Sequence, residues 1–229
     1  MNDLAAIVEG LTEQAFVRSV LAPELASRGI HMWATLPGRI DKHGGKVPWD
    51  RIRRDIVRTL KERSGRFCTI VFDFYAMPND WPGRSEASAL PWEKRGAYVE
   101  NALLEDLAEH MGKDFRQERF IPYVQVHEFE AILFSDVERL AAVLQELPGA
   151  TSGDVISRLK AIVKGAAGGP EAINDNPNTA PSKRILSLVT GYRKPIHGVI
   201  AAQRIQLSTM RASCPNFGRW LTRLEALSQ

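Results

Sequence analysis

The sequence predicts an α/β fold: a mostly parallel sheet flanked by helices, extended by a helical C-terminal region. Three observations carry this expectation. Short apolar runs alternate with amphipathic stretches through residues 1–134, the pattern of parallel strands joined by helical crossovers. Residues 135–229 show helical periodicity and no convincing strand. Three of the apolar runs stop on acids, and in an open α/β sheet the carboxyl ends of the strands line the crevice that binds ligands.

The elements follow in order. "LAAIVEG" reads as a buried strand ending on Glu9 and Gly10. "TEQAFVRSVLAPELASRG" reads as a helix closed by Gly29, which Pro23 should bend or split. "HMWATLPG" is a second strand and "RIDKHGGKV" a basic, glycine-rich loop. "PWDRIRRDIVRTLKERSG" carries Ile52, Ile56, Val57 and Leu60 on one helical face. "RFCTIVFDFYAMP" is the most apolar strand, and "NDWPGRSEASALP" a polar connector. "EKRGAYVENALLEDLAEHMG" is a helix with Val99, Leu103, Leu107 and Met111 inward. "RFIPYVQVHEFEAILFSD" starts as a strand and turns helical near Glu128. Beyond it, "DVERLAAVLQEL", "SGDVISRLKAIVKGA", "KRILSLVTGY", "VIAAQRIQLSTMRAS" and "PNFGRWLTRLEAL" each read as a helix. A Pro/Gly/Asn-rich loop spans residues 167–181, a linker or a functional loop.

Composition narrows the class. The 229 residues are 44% hydrophobic and 25% charged, ordinary for a globular chain with a full core. A net charge of +3 is compatible with an anionic partner without requiring one. The two cysteines, Cys68 and Cys214, form neither a zinc motif nor a disulfide framework. Reduced thiols and a cytoplasmic location are therefore expected. No signal-peptide pattern, internal repeat or apolar run of membrane-spanning length is visible, so no membrane association is expected. No Walker-type GxxxxGK[ST] occurs, which argues against ATP hydrolysis within this chain.

The acids at the strand ends carry the chemistry. Glu9 closes the first strand, Asp73 closes "CTIVFD", and Glu128 and Glu130 follow "YVQVH". Converging carboxylates repel one another unless a cation lies between them, and hard divalent ions such as Mg²⁺ or Mn²⁺ prefer oxygen ligands. Glu13, at the head of the first helix, is a further acid. The alternative is that these acids merely mark solvent-facing strand ends.

The phrase "IVEGLTE" resembles the opening motif of Toprim domains, shared by topoisomerases, primases and the overcoming-lysogenization-defect nucleases. The segments "VEGLTE", "KHGGKV", "DFYAMPNDWPG", "VQVHEFEAILFSD", "PSKRI" and "RASCPNFGRWL" together resemble an uncharacterised bacterial Toprim-like family, domain-of-unknown-function family four-two-seven-six, from end to end. The resemblance implies a Toprim-like core and metal-dependent phosphodiester hydrolysis, with Mg²⁺ or Mn²⁺ as cofactor. It implies Glu9 as metal ligand or general acid/base, Glu13 as a supporting ligand, and Asp73 as the first Asp of an Asp-x-Asp motif. The second Asp is absent, because position 75 is Tyr75. Asp80 replaces it only if its loop folds back. A single-metal site of Glu9, Asp73 and Glu128, supported by Glu130, does not need that second acid. Pro181 and Ser182 suggest a helix start, so Lys183 and Arg184 of "PSKRI" lie in its first turn. Lys183 is either the cation that stabilises charge on the phosphate, which the resemblance supports, or with Arg184 a solvated helix charge. A bacterial-defence or mobile-element setting, a separate ATPase partner and a homodimer are further implications.

Other residues have both a functional and an ordinary reading. Lys42 and Lys46, with Arg39 and His43, could track a phosphate backbone or form a plain surface loop. Arg51, Arg53, Arg54 and Arg58 fit a solvated helix face. His127 fits a structural role, because strand alternation points it away from Glu128. Tyr75, Trp81 and Trp49 could stack on bases or pack the core edge. The leading expectation is a Mg²⁺-dependent nuclease acting on DNA or RNA. The competitors are a Toprim-like binding module that no longer cuts, and a hydrolase of nucleotides or small phosphates.

Overall fold

The computed structural model describes residues 2–38, 46–149, 154–174 and 179–228. Strands β1 (Asn2–Val8), β2 (Ile30–Thr35), β3 (Phe67–Asp73) and β4 (Phe120–Gln125) form one sheet of order β2-β1-β3-β4. Every neighbouring pair is parallel, so all four carboxyl ends open on one edge. The order reverses between β1 and β3, because the chain crosses first to β2 and then back.

Between β1 and β2 run α1 (Leu11–Phe16), a π-turn (Val17–Leu21) and α2 (Ala22–Ala26). Pro23 has the expected effect: the Ala22 N–H bonds to the Val17 carbonyl, one residue beyond the α-helical partner. The wide turn accommodates a ring that lacks its own N–H. Helix α3 (Trp49–Glu62) leads to β3, and α4 (Arg84–Ala87) and α5 (Trp92–Met111) lead to β4. After β4 come a 3₁₀ segment (Phe129–Ser135), α6 (Val137–Gln145), α7 (Val155–Lys164), α8 (Pro181–Leu188), α9 (Val199–Ile205), α10 (Leu207–Ser213) and α11 (Pro215–Glu225). No strand follows β4 among the described residues.

Strand alternation divides the core. Ile7, Cys68, Ile70, Phe72, Phe120 and Val124 face α3 and α5. Leu4, Ala6, Val8, Val71, Ile121 and Tyr123 face the other way, onto α1, the π-turn and the C-terminal helices. The helices after residue 134 therefore cover a sheet face that would otherwise be wet. Trp220 of α11 shows how tightly: its ring stacks on Tyr123 at 4.6 Å, and Nε1 donates to Thr69 Oγ1 at 3.0 Å. On the opposite face Gly96 lets α5 approach β4, since a Cβ there would lie 2.9 Å from the Val124 carbonyl. Glu100, one turn on, accepts the Val124 N–H at 3.0 Å and so occupies part of the sheet's outer edge.

One helix expected over "VIAAQRIQLSTMRAS" is two. Gln206 has φ 74°, a left-handed conformation costly for a side chain with a Cβ. The break lets α9 pack on α6 while α10 turns toward α11 and the 3₁₀ segment. Such a tertiary demand outweighs helical propensity.

Candidate active site

The site is built where β1, β3 and β4 end. The Glu9 N–H extends the β1–β3 ladder by donating to the Val71 carbonyl at 3.1 Å. Its side chain then crosses to β3, where Oε2 accepts the Asp73 N–H at 2.9 Å. Gly10 is extended and precedes α1. A Cβ on Gly10 would lie 3.3 Å from Glu13 Oε2, so the buried Glu13 carboxylate folds back toward Glu9.

Electrostatics register this crowding. Burial, then the charges of Glu13 and Glu128, push Glu9 up from 4.5 to about 7. Asp73 is raised well above its ordinary value by burial and by Glu9, Glu13 and Glu130. Burial also raises Glu13. These shifts follow the rule that desolvated like charges disfavour the ionised form.

A second group lies against the first. Lys194 Nζ stands 3.1 Å from Glu128 Oε1 and 3.2 Å from Glu130 Oε2. The Ser182 N–H, at the head of α8, donates to Glu128 Oε2 at 2.8 Å. Tyr192 Oη donates to Glu130 Oε1 at 3.4 Å. Burial alone would raise Glu128, but Ser182 and Lys194 outweigh it and hold this carboxyl below its ordinary value. Burial, and then the Glu128 charge, raise Glu130. For Lys194, burial lowers and the two glutamates raise, with a net rise. The same lysine pulls down Glu9, Glu13 and Asp73, so its field spans both groups.

The structure thus sets the Glu9, Glu13 and Asp73 group within electrostatic reach of Glu128 and Glu130. Asp80 is elsewhere: its Oδ2 accepts the Trp49 N–H at 2.9 Å and caps α3, because the Pro/Gly-flanked loop runs across to that helix. It does not stand in for the acid missing at Tyr75. Lys183 sits in the first turn of α8 with an exposed side chain, next to Ser182 but outside the ion-pair network. Arg184 Nε donates to the Thr179 carbonyl at 2.7 Å. Lys46 is exposed, and Lys42 lies outside the described residues.

The lysine that meets the acids is Lys194, which sequence reading missed. It lies 66 positions from Glu128, in a π-turn between α8 and α9. Its only local signal was a basic residue in the Gly- and Pro-bracketed run "GYRKPIHG". His127 is buried and stacked on Tyr75, in keeping with a structural role. Both cysteines are buried, and burial raises their thiols far above the ordinary range, away from nucleophilic use.

As a donor set, these carboxylates suit a hard divalent cation, and a cation would relieve the repulsion that raises Glu9 and Asp73. Among the described residues, however, no three His, Cys, Asp or Glu side chains are gathered in a metal-holding geometry. Side-chain rotation would have to bring the donors together.

The parallel four-stranded sheet and its flanking helices give the chain a Toprim-like α/β fold. The chain belongs to the family described as Domain of unknown function (DUF4276), whose model matches residues 8–225. Its structure is similar to the C-terminal region of the Burkholderia pseudomallei OLD protein: TM-score 0.51 at 17% identity, covering 100% of both chains. The C-terminal region of the Xanthomonas campestris pv. campestris OLD protein gives a TM-score of 0.46 at 17% identity over 98% of this chain and 95% of that one. At this identity the likeness concerns the fold. No curated protein matches the chain. No helix among the described residues is long and apolar enough to cross a membrane.

Proposed function

We propose that the chain is a Mg²⁺- or Mn²⁺-dependent phosphodiesterase acting on nucleic acid, DNA or RNA. The observation that carries this reading is the electrostatic coupling of acids that follow three strand ends on one sheet edge, where Glu9 Oε2 accepts the Asp73 backbone N–H at 2.9 Å. Glu9, Asp73 and Glu128 would hold the ion, with Glu13 and Glu130 in support. A bound divalent ion polarises a phosphoryl oxygen and makes its water a better nucleophile. Lys194 orients Glu128 and Glu130 and sets a positive charge beside them. Lys183 and Arg184, in the first turn of α8, and Lys42 and Lys46 would contact phosphate. A setting in bacterial defence or a mobile element, beside a separate ATPase and as a homodimer, belongs to the same proposal.

A second reading is a binding module that no longer cuts. Tyr75 in place of a second acid favours it, as does the lack of a ready three-acid cluster among the described residues. Calorimetric titration with Mg²⁺ and Mn²⁺ separates the two. The enzyme reading expects binding that both Glu9→Ala and Asp73→Ala abolish, followed by metal-dependent cleavage of an oligonucleotide. Absence of binding to wild type favours the module. Cleavage confined to mononucleotides would instead point to a small-phosphate hydrolase.

A further inference from the structure

Of the three aromatic residues that could stack on a base, the fold leaves one available. Trp49 and Trp81 are 3% and 2% exposed, and their indole N–H groups are spent on Asp106 and the Val47 carbonyl. Tyr75 is 46% exposed. A turn closed by the Ala76 N–H on the Asp73 carbonyl, at 3.0 Å, carries it past the end of β3, two positions beyond the site acid Asp73.

The ring is held from several sides. It lies parallel to the buried His127 imidazole, with centroids 5.7 Å apart and planes 10° apart. Arg95 Nη1 donates to its hydroxyl at 2.9 Å. Its neighbour Phe74 meets it edge-on at 5.5 Å, and Phe74 is itself pinned by Arg84, whose guanidinium lies 3.8 Å from the Phe74 ring and donates to its carbonyl. In the sequence the two stacked residues neighbour site acids: Asp73 precedes Tyr75 by two positions, and Glu128 follows His127 directly. A fixed, half-exposed ring at this place has little to contribute to the core and is preorganised to receive a flat ligand.

We infer that Tyr75 is a stacking platform for an unpaired nucleobase whose phosphate lies at the acidic site. The substrate strand is then single-stranded, or locally unpaired, next to the reacting phosphate. The inference rests on the nucleic-acid reading above and narrows it. It also gives the residue at the position of the missing acid a role of its own.

The test is binding of short oligothymidylate against an abasic oligonucleotide of equal length and charge, followed by fluorescence anisotropy with Ca²⁺ as divalent ion. Base–aromatic stacking predicts that wild type prefers oligothymidylate by ~10-fold. Tyr75→Phe keeps that preference, and Tyr75→Leu loses it with the salt dependence unchanged. Equal, measurable binding of both strands by wild type overturns the stacking role and leaves the nucleic-acid reading intact. No binding of either strand overturns that reading, and this inference with it. The wild-type comparison decides even if Tyr75→Leu folds poorly.

Discussion

Glu9 reaches across the sheet edge so that its Oε2 accepts the backbone N–H of Asp73 at 2.9 Å. The first acid of the site is thus positioned by the peptide of the second, while the two side-chain charges oppose each other. A site held together by backbone and strained by charge is stable as a fold and poised to gain from a cation. Functional sites commonly store instability in this way.

Neutralising Asp73 should therefore separate stability from metal binding. Asp73→Asn removes the cost of burying an ionisable carboxyl among other acids and should raise the metal-free Tm by ~2–4 °C, as about 1 kcal/mol does in a chain of this size. It should also abolish Mg²⁺ binding. Thermal melts and calorimetry of the same variant check both halves, and an unchanged or lowered Tm would contradict the charge argument.

The two lysines should behave differently. Lys194→Ala leaves Glu130 buried without its cation and should cost ~1–3 kcal/mol, the range for a lost charged hydrogen bond. Lys183→Ala, on an exposed position, should stay within ~0.5 kcal/mol of wild type. Denaturant titrations compare them. A larger loss from Lys183→Ala than from Lys194→Ala would contradict this assignment of the ion-pair network.

The pH dependence has a definite sign. A carboxyl raised in the folded state binds its proton more tightly folded than unfolded, so its contribution favours folding at low pH. For Glu9 that contribution is full below about 4.5 and is lost as pH rises through about 7. Metal-free protein should thus lose stability across this window. Metal binding needs the carboxylate and should strengthen over the same window. With saturating Mg²⁺ the decline should flatten, as Tm measured against pH with and without the ion would reveal.

Residues 1–134 should not fold alone. Removing the later helices strips the face of Leu4, Ala6, Val8, Val71, Ile121 and Tyr123, an exposed apolar patch that promotes aggregation. Within the full chain, Trp220→Ala should cost ~3–5 kcal/mol, and Trp220→Phe, which loses chiefly the bond to Thr69, about 1 kcal/mol. A soluble, cooperatively melting fragment of residues 1–134 would refute the shared core.

The sequence by itself determined the parallel α/β plan, because strand alternation, helical period and the punctuation by Gly and Pro are local signals. It also determined that Glu9 and Asp73 stand at the ends of β1 and β3 with Glu128 three positions past β4, since parallel strands bring their carboxyl ends to one edge whatever their order. The tertiary structure alone decided which cation meets those acids. Lys194 reaches Glu128 across 66 positions, and a charge in a loop has no periodicity to announce its partner. It likewise decided that Asp80 caps α3, that Gln206 breaks a helix, and that Tyr75 rather than either tryptophan faces solvent. Each depends on which surfaces pack together, and burial is a property of the assembled chain rather than of a residue and its neighbours in sequence.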